Sequence, residues 1–267
     1  MLGIEWILLF LLLGCFVGFM AGLLGIGGGG IMVPILTSMF LFQGIPLENV
    51  VHLALGTSMA SIITTSISSL RAHHLKGAVI WHVVRCMAPG IVVGTFLATL
   101  FVSHISSIYL ALFFSMFMAY VSIQMFINKM PKPGRNISSN TELLFAGSGI
   151  GALSAIVSIG GGSLTVPYLT RQNVDIKKAI GTSAAIGLPI SIAGTFGYVI
   201  NGWESYPMAS YTFGYVYFPA VLLISVASFF TAPYGAKLAH KLNISTLKKI
   251  FAVLLMILSI KMLISVV

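Results

Sequence analysis

Apolar stretches long enough to cross a lipid bilayer recur along this chain, and they constrain its fold more than any other feature. Residues 7–24, 50–70, 78–102, 108–127, 176–200, 213–230 and 250–267 carry few charges. At 1.5 Å of rise per residue, about 20 helical residues cross a hydrocarbon core of about 30 Å. Composition agrees with that reading. Hydrophobic residues make up 58% of the chain and charged residues 7%, against about 25% charged in an ordinary soluble domain. So few charges cannot cover a water-facing surface. The expected class is an all-α polytopic membrane protein, with the lipid bilayer as its surroundings.

Other classes fall away on the same grounds. The net charge of +9 comes from basic residues in short loops between apolar spans, where topology explains them better than nucleic acid does. No basic run with interleaved aromatics offers a base-stacking surface, so no nucleic-acid partner is expected. Cys15 and Cys86 both sit inside apolar segments and read as small packed residues. No metal-ligand spacing is present, and neither metal nor cofactor is expected. The first residues have Glu5 as their only charge, unlike the basic start of a signal peptide. An enzyme is not expected either, because H-E-x-x-H, G-x-S-x-G and a buried acid pair are all missing.

The chain repeats itself. Gly25-Ile-Gly-Gly-Gly-Gly-Ile-Met-Val-Pro34 returns as Ser158-Ile-Gly-Gly-Gly-Ser-Leu-Thr-Val-Pro167. Upstream, Gly14, Gly18 and Gly22 are answered by Gly147, Gly151 and Ala155. Downstream, Gly56, Thr57 and Ser58 are answered by Gly181, Thr182 and Ser183, and Gly94 to Ala98 is echoed faintly by Gly235 to Ala239. Four matches in one order mark an internal repeat. A polar stretch, 129–140, divides the chain into an N-terminal membrane repeat, 1–128, and a C-terminal one, 141–267.

The charges predict how the halves are oriented. Lys and Arg collect in cytoplasmic loops. Twelve of the 14 basic residues fall in four clusters: Arg71 and Lys76; Lys129, Lys132 and Arg135; Arg171, Lys177 and Lys178; Lys237, Lys241, Lys248 and Lys249. Equivalent loops of the two halves carry opposite character. Glu48 follows the first Gly-rich motif where Arg171, Lys177 and Lys178 follow the second, and Arg71 and Lys76 correspond to a loop whose charge is Glu204. That pattern predicts two inverted-topology repeats, each of about five helical segments: 6–25, 30–42, 49–70, 78–102 and 106–128, then 141–158, 163–171, 176–200, 212–236 and 246–266. The second segment of each half is short, so it either crosses obliquely or forms a re-entrant hairpin. Both termini are expected outside, in the inner membrane of a bacterial or archaeal cell. Trp203, Tyr206, Tyr211, Tyr215 and Tyr217 suit an outer aromatic belt and Trp81 an inner one.

The Gly-rich runs are the candidate site. Gly27, Gly28, Gly29 and Gly30 make a poor helix interior, so the helix should break there. Broken backbone inside a membrane must be buried in protein or line a cavity. The new helix starts near Ile31, with Pro34 close to its first turn. Free amides and the dipole at such a start favour an anion. Gly160, Gly161, Gly162, Ser163 and Thr165 offer the same from the other half. Two such starts facing each other at the repeat interface would hold a small oxyanion, with Thr57, Ser58, Thr182 and Ser183 as further hydroxyls. Glycine-mediated helix packing is the competing account, and the preferred one for Gly14, Gly18, Gly22, Gly147 and Gly151. The Thr-Ser pairs read equally well as hydroxyls bonded to their own helices.

The acids Glu5, Glu48, Glu142, Asp175 and Glu204 all fall near segment ends, leaving no carboxylate relay at mid-membrane. His52, His82 and His104 read as interfacial, His73 and His74 as solvated members of a basic loop, and Arg85 and Lys261 as snorkelling.

At these residues the chain resembles the sulfite exporter TauE/SafE family of membrane permeases. The resemblance rests on both Gly-rich Pro motifs, both Gly-Thr-Ser motifs, and the stretch from Ala232 to Leu242 followed by Leu247 to Phe251. It covers nearly the whole chain. It implies transport of a small sulfur-containing anion, sulfite or an organosulfonate, usually outward. The competing expectations are an importer of a sulfur compound and a membrane assembly factor without flux. Gly30, where the second copy has Ser163, makes the two candidate half-sites unequal.

Overall fold

The structure, a computed structural model, describes residues 3–24, 28–127, 137–205, 211–239 and 244–266. Gly27, Tyr206, Lys241 and the linker residues Lys129, Lys132 and Arg135 lie outside the described residues, as does the side chain of Lys248.

Among the described residues ten helices form, seven on the apolar runs and α2, α6 and α7 on the further segments expected from the repeat: α1 (Ile4–Leu24), α2 (Gly29–Phe42), α3 (Leu47–His74), α4 (Trp81–Val102), α5 (Ser107–Ile127), α6 (Asn140–Val157), α7 (Gly162–Thr170), α8 (Ile176–Ser205), α9 (Phe218–Ala239) and α10 (Ile244–Val266). Eight are long and apolar enough to cross a membrane. Local signals set some boundaries. Ser139 caps α6 by accepting from the Glu142 N–H, with the acid in the first turn.

α3 and α8 are the two most buried spans and form the centre. They run antiparallel, because Ser66 lies opposite Gly187 and Met59 opposite Gly194. α1 and α9 run parallel on one flank, with Gly14, Gly18 and Gly22 against Ile224, Ser228 and Ala232. α4 and α6 repeat the arrangement on the other flank, with Gly147 and Gly151 against Met87 and Ile91. At each of these glycines a β-carbon would overlap the partner helix, so the small-residue stripes set the interaxial distance as expected of membrane helices. α5 and α10 pair antiparallel, and their hydroxyls cross-link them: Ser122 donates to the Ala252 carbonyl at 2.6 Å and Ser259 to the Ser115 carbonyl at 2.7 Å.

These directions place Arg71, Lys76, Arg85, Arg171, Lys177, Lys178, Lys237 and Lys249 at one end of the bundle, with Glu48 and Lys261 towards the other. We call the first the basic end.

Four expectations need correction. The segment 212–236 does not begin as helix. Thr212–Phe213 (β1) and Val216–Tyr217 (β2) form an antiparallel hairpin around Gly214, whose φ is 54°, and helix starts at Phe218. Alternating aromatic and β-branched residues around a glycine outweigh bulk hydropathy there. Tyr215 therefore does not join an aromatic belt but is buried at 3% exposure. His73 is not solvated. α3 continues to His74, past the expected end at 70, which carries His73 onto α1, where Nε2 lies 3.2 Å from the Gly22 carbonyl. His52 is not interfacial either, because Tyr215 stacks over its ring at 4.9 Å and Val102 takes its Nε2 at 3.1 Å.

Candidate functional site: two glycine breaks between α3 and α8

The two Gly-rich motifs fold alike. Gly28 precedes α2 with φ 77°, and Gly161 precedes α7 with φ 79°. Both are left-handed, a region that costs a side-chain-bearing residue roughly 1–2 kcal/mol. Neither helix has a side-chain cap at this point, so the first amides of α2 and α7 lack the usual local acceptor. Pro34 and Pro167 each sit sixth in their helix and cannot donate to the carbonyls of Gly30 and Ser163 four residues back. Each break therefore combines first-turn amides without a side-chain cap and a carbonyl without its usual helical donor.

The breaks meet at mid-depth. Gly29 packs so closely on the Ser158 carbonyl that no β-carbon fits, and it also touches Ile62 of α3. Gly160 presents its carbonyl to Gly187 of α8, and Gly161 faces Ile186 and Ile190. Ile62, Ser66, Ile186 and Ile190 lie in the middle of the antiparallel α3·α8 pair. Gly162 is buried as the first residue of α7. Gly30 faces Met118 and Leu255, which fill the space a side chain would take. Ser158, which ends α6 with φ 48°, donates its hydroxyl to the Leu55 carbonyl at 3.2 Å. This residue was not among the expected site positions. Its pairing with Gly25 in the repeat was the available signal, since such a position tolerates Gly or a small polar residue in the left-handed region. Ser66, buried beside Gly187, had no sequence signal.

Several hydroxyls here have no hydrogen-bond partner among the described residues. Ser58 and Thr165 are fully buried, and the Ser163 hydroxyl is shielded too. Thr165 turns back towards the start of its helix, with Oγ1 3.4 Å from where a Gly161 β-carbon would lie. Ser58 sits one turn from Ile62 on the same helical face. An unsatisfied buried hydroxyl costs about 1–3 kcal/mol; Ser163 and Thr165 stand near the start of α7, and Ser58 is one turn from the Ile62 that meets Gly29.

The expected threonines sit elsewhere. Thr57 accepts from the Tyr217 N–H at 2.9 Å, and Thr182 accepts from the Ile80 N–H at 3.0 Å. Ser183 donates to the Ile180 carbonyl of its own helix at 2.8 Å. Thr57 and Thr182 therefore lie towards opposite ends of the α3·α8 pair, with the breaks between them.

The surroundings of the breaks carry no net charge. Among the described residues no Lys, Arg, Asp or Glu is buried. In the hairpin, burial pushes the Tyr217 phenol above its usual range, and Tyr211 adds to the rise.

Helices interrupted at mid-depth, packed in a polytopic bundle around buried polar backbone, define a membrane transporter class. The comparisons with known proteins agree: residues 10–262 match the sulfite exporter TauE/SafE family, and the chain belongs to that family. It is 40% identical to a probable membrane transporter protein of Haemophilus influenzae over 97% of this chain and 98% of that one. A probable membrane transporter protein of Methanocaldococcus jannaschii is 29% identical over 88% of this chain and 87% of its own length. One from Bacillus subtilis is 27% identical over 75% and 80% respectively. No solved structure matches the chain.

Proposed function

We propose that this transporter carries a small sulfur-containing oxyanion, sulfite or an organosulfonate, outward between two inverted halves. The observation that carries the reading is the pair of left-handed glycine starts, Gly28 and Gly161, at one depth, with the hydroxyls of Ser58, Ser163 and Thr165 around them. Gly28, Gly29 and Gly30 supply amides from one side and Gly160, Gly161 and Gly162 from the other. A helix start favours an anion by roughly 0.3–1 kcal/mol, and by up to about 2 when partly buried. Two starts and three hydroxyls add up to a shell able to replace part of an oxyanion's hydration.

The matched parallel flanks, α1 on α9 and α6 on α4, support inverted halves of residues 1–128 and 141–267. The collection of basic residues at one end supports a cytoplasmic basic end and both termini outside. Outward movement of an anion needs no carboxylate relay. A membrane potential negative inside favours it by about 2.3 kcal/mol per charge per 100 mV.

The test is flux in reconstituted vesicles, comparing sulfite with chloride and sulfate, with and without an imposed potential. Sulfite-selective flux that rises with an outward-driving potential is the expected result. Flux of none of these anions through folded, inserted protein would remove the cargo and leave the fold standing.

A further inference from the structure

Both Gly-Thr pairs do the same thing at opposite ends of the bundle. Gly56 lies so close to the Tyr215 carbonyl that a β-carbon would overlap it, and the neighbouring Thr57 hydroxyl accepts from the Tyr217 N–H at 2.9 Å. Gly181 lies equally close to the Ala78 carbonyl, and Thr182 accepts from the Ile80 N–H at 3.0 Å. Tyr217 immediately precedes α9 and Ile80 immediately precedes α4. In each case the glycine admits a loop carbonyl, and the threonine takes the amide two residues later, at the start of a helix. Each contact also joins opposite halves of the chain. α3 holds the loop leading into α9, and α8 holds the loop leading into α4.

The two contacts are far apart. The α3·α8 register puts Thr182 level with Arg71, about fourteen residues along α3 from Thr57. At 1.5 Å per residue that is roughly 21 Å. The Gly-rich breaks lie between, at the level of Ile62 and Ile186. The hairpin at 211–217 lies against α3 and α8 towards the end bearing Glu48, and Ala78 and Ile80 lie against α8 towards the basic end. Tyr215 seals the first closure further by stacking on His52 and bonding its N–H to the Tyr198 carbonyl at 3.2 Å.

We propose that Thr57 and Thr182 are the positioning residues of two closures, one at each end of the route, and that transport opens one while the other holds. In the structure both hydrogen bonds are made. α9 is bound to α1 and α4 to α6 by their glycine stripes, so each released loop would carry a helix pair with it. A single hydrogen bond to a loop amide is weak enough to break and re-form on the timescale of a transport cycle. This inference rests on the transport reading above, but it is tested without a substrate.

The experiment reads access from each face. Cys15 and Cys86 are replaced by serine, and Ser66→Cys, midway between the closures, serves as reporter. Sealed vesicles of known orientation are exposed to a membrane-impermeant methanethiosulfonate. The parent should label slowly from both faces. Thr57→Val should speed labelling at least tenfold from the hairpin face alone, and Thr182→Val from the basic face alone. Thr57→Ser and Thr182→Ser, which keep the hydroxyl, should behave as the parent. A valine variant that fails to fold is replaced by alanine, with the same expectation. Acceleration from both faces alike, or none from either variant, would overturn the proposal. Sided labelling without flux of any sulfur anion would keep the closures and reject the cargo.

Discussion

The first Gly-rich break and the second share a backbone and differ in chemistry. Gly28 and Gly161 adopt nearly the same left-handed conformation, at φ 77° and 79°, and both open helices with proline at the sixth position. Beyond that the copies part. The second break carries Ser163 and Thr165, whose hydroxyls lack partners among the described residues, where the first has Gly30 and the fully buried Met32. The first instead makes the closest contact, Gly29 on the carbonyl of Ser158. One copy brings the two breaks together; the other supplies the polar groups. A repeat can thus conserve geometry through its glycines and divide the chemistry between its copies.

The most damaging way to break this comparison is Gly29→Ala. Its β-carbon would collide with a backbone carbonyl that has no rotamer to escape by. A destabilisation above about 4 kcal/mol is expected, at the extreme of point-mutant effects. Gly149→Ala, which meets nothing within 4 Å, should stay within about 0.5 kcal/mol. Thermal melting of both in detergent checks the pair. An equally stable Gly29→Ala protein would mean that the breaks do not touch.

Thr165→Val comes next. It removes a fully buried hydroxyl that has no partner among the described residues, so stability should hold or rise by about 1 kcal/mol. Sulfite flux in vesicles should fall at least tenfold, because the loss falls on the anion and not on the fold. Unchanged flux would take Thr165 out of the site. The smallest effect is expected for Gly30→Ser, which makes the first break resemble the second. The new side chain must displace the flexible end of Met118, at a cost of about 1 kcal/mol. A melting shift much larger than that would show a wall more rigid than a methionine terminus allows.

Much of this architecture was legible in the chain. Apolar length marked seven of the helices, and glycine runs marked both breaks, because few residues accept the left-handed conformation that Gly28 and Gly161 adopt. The spacing of four at Gly14, Gly18 and Gly22 marked a packing face, though not its partner. The Gly-Thr-Ser motifs were legible as a repeated feature, but what they hold was not. Thr57 meets residue 217 and Thr182 meets residue 80, contacts across 160 and 102 residues that no local pattern announces. The hairpin at 212–217 was hidden for a related reason. Its residues run into the long apolar stretch 213–230, which hid their alternating pattern, and Gly56 of α3 and Gly202 of α8 fix where Tyr215 lies.

By itself the sequence determined that the chain crosses a membrane, where its helices break, and that the breaks come in pairs. These follow from composition and from the conformational range of single residues, which act locally. The tertiary structure alone decided that the breaks touch, that the Ser158 hydroxyl reaches α3, and that each Gly-Thr pair holds a loop of the opposite half. Those are contacts between segments far apart in the chain, set by which surfaces pack together after every helix has formed.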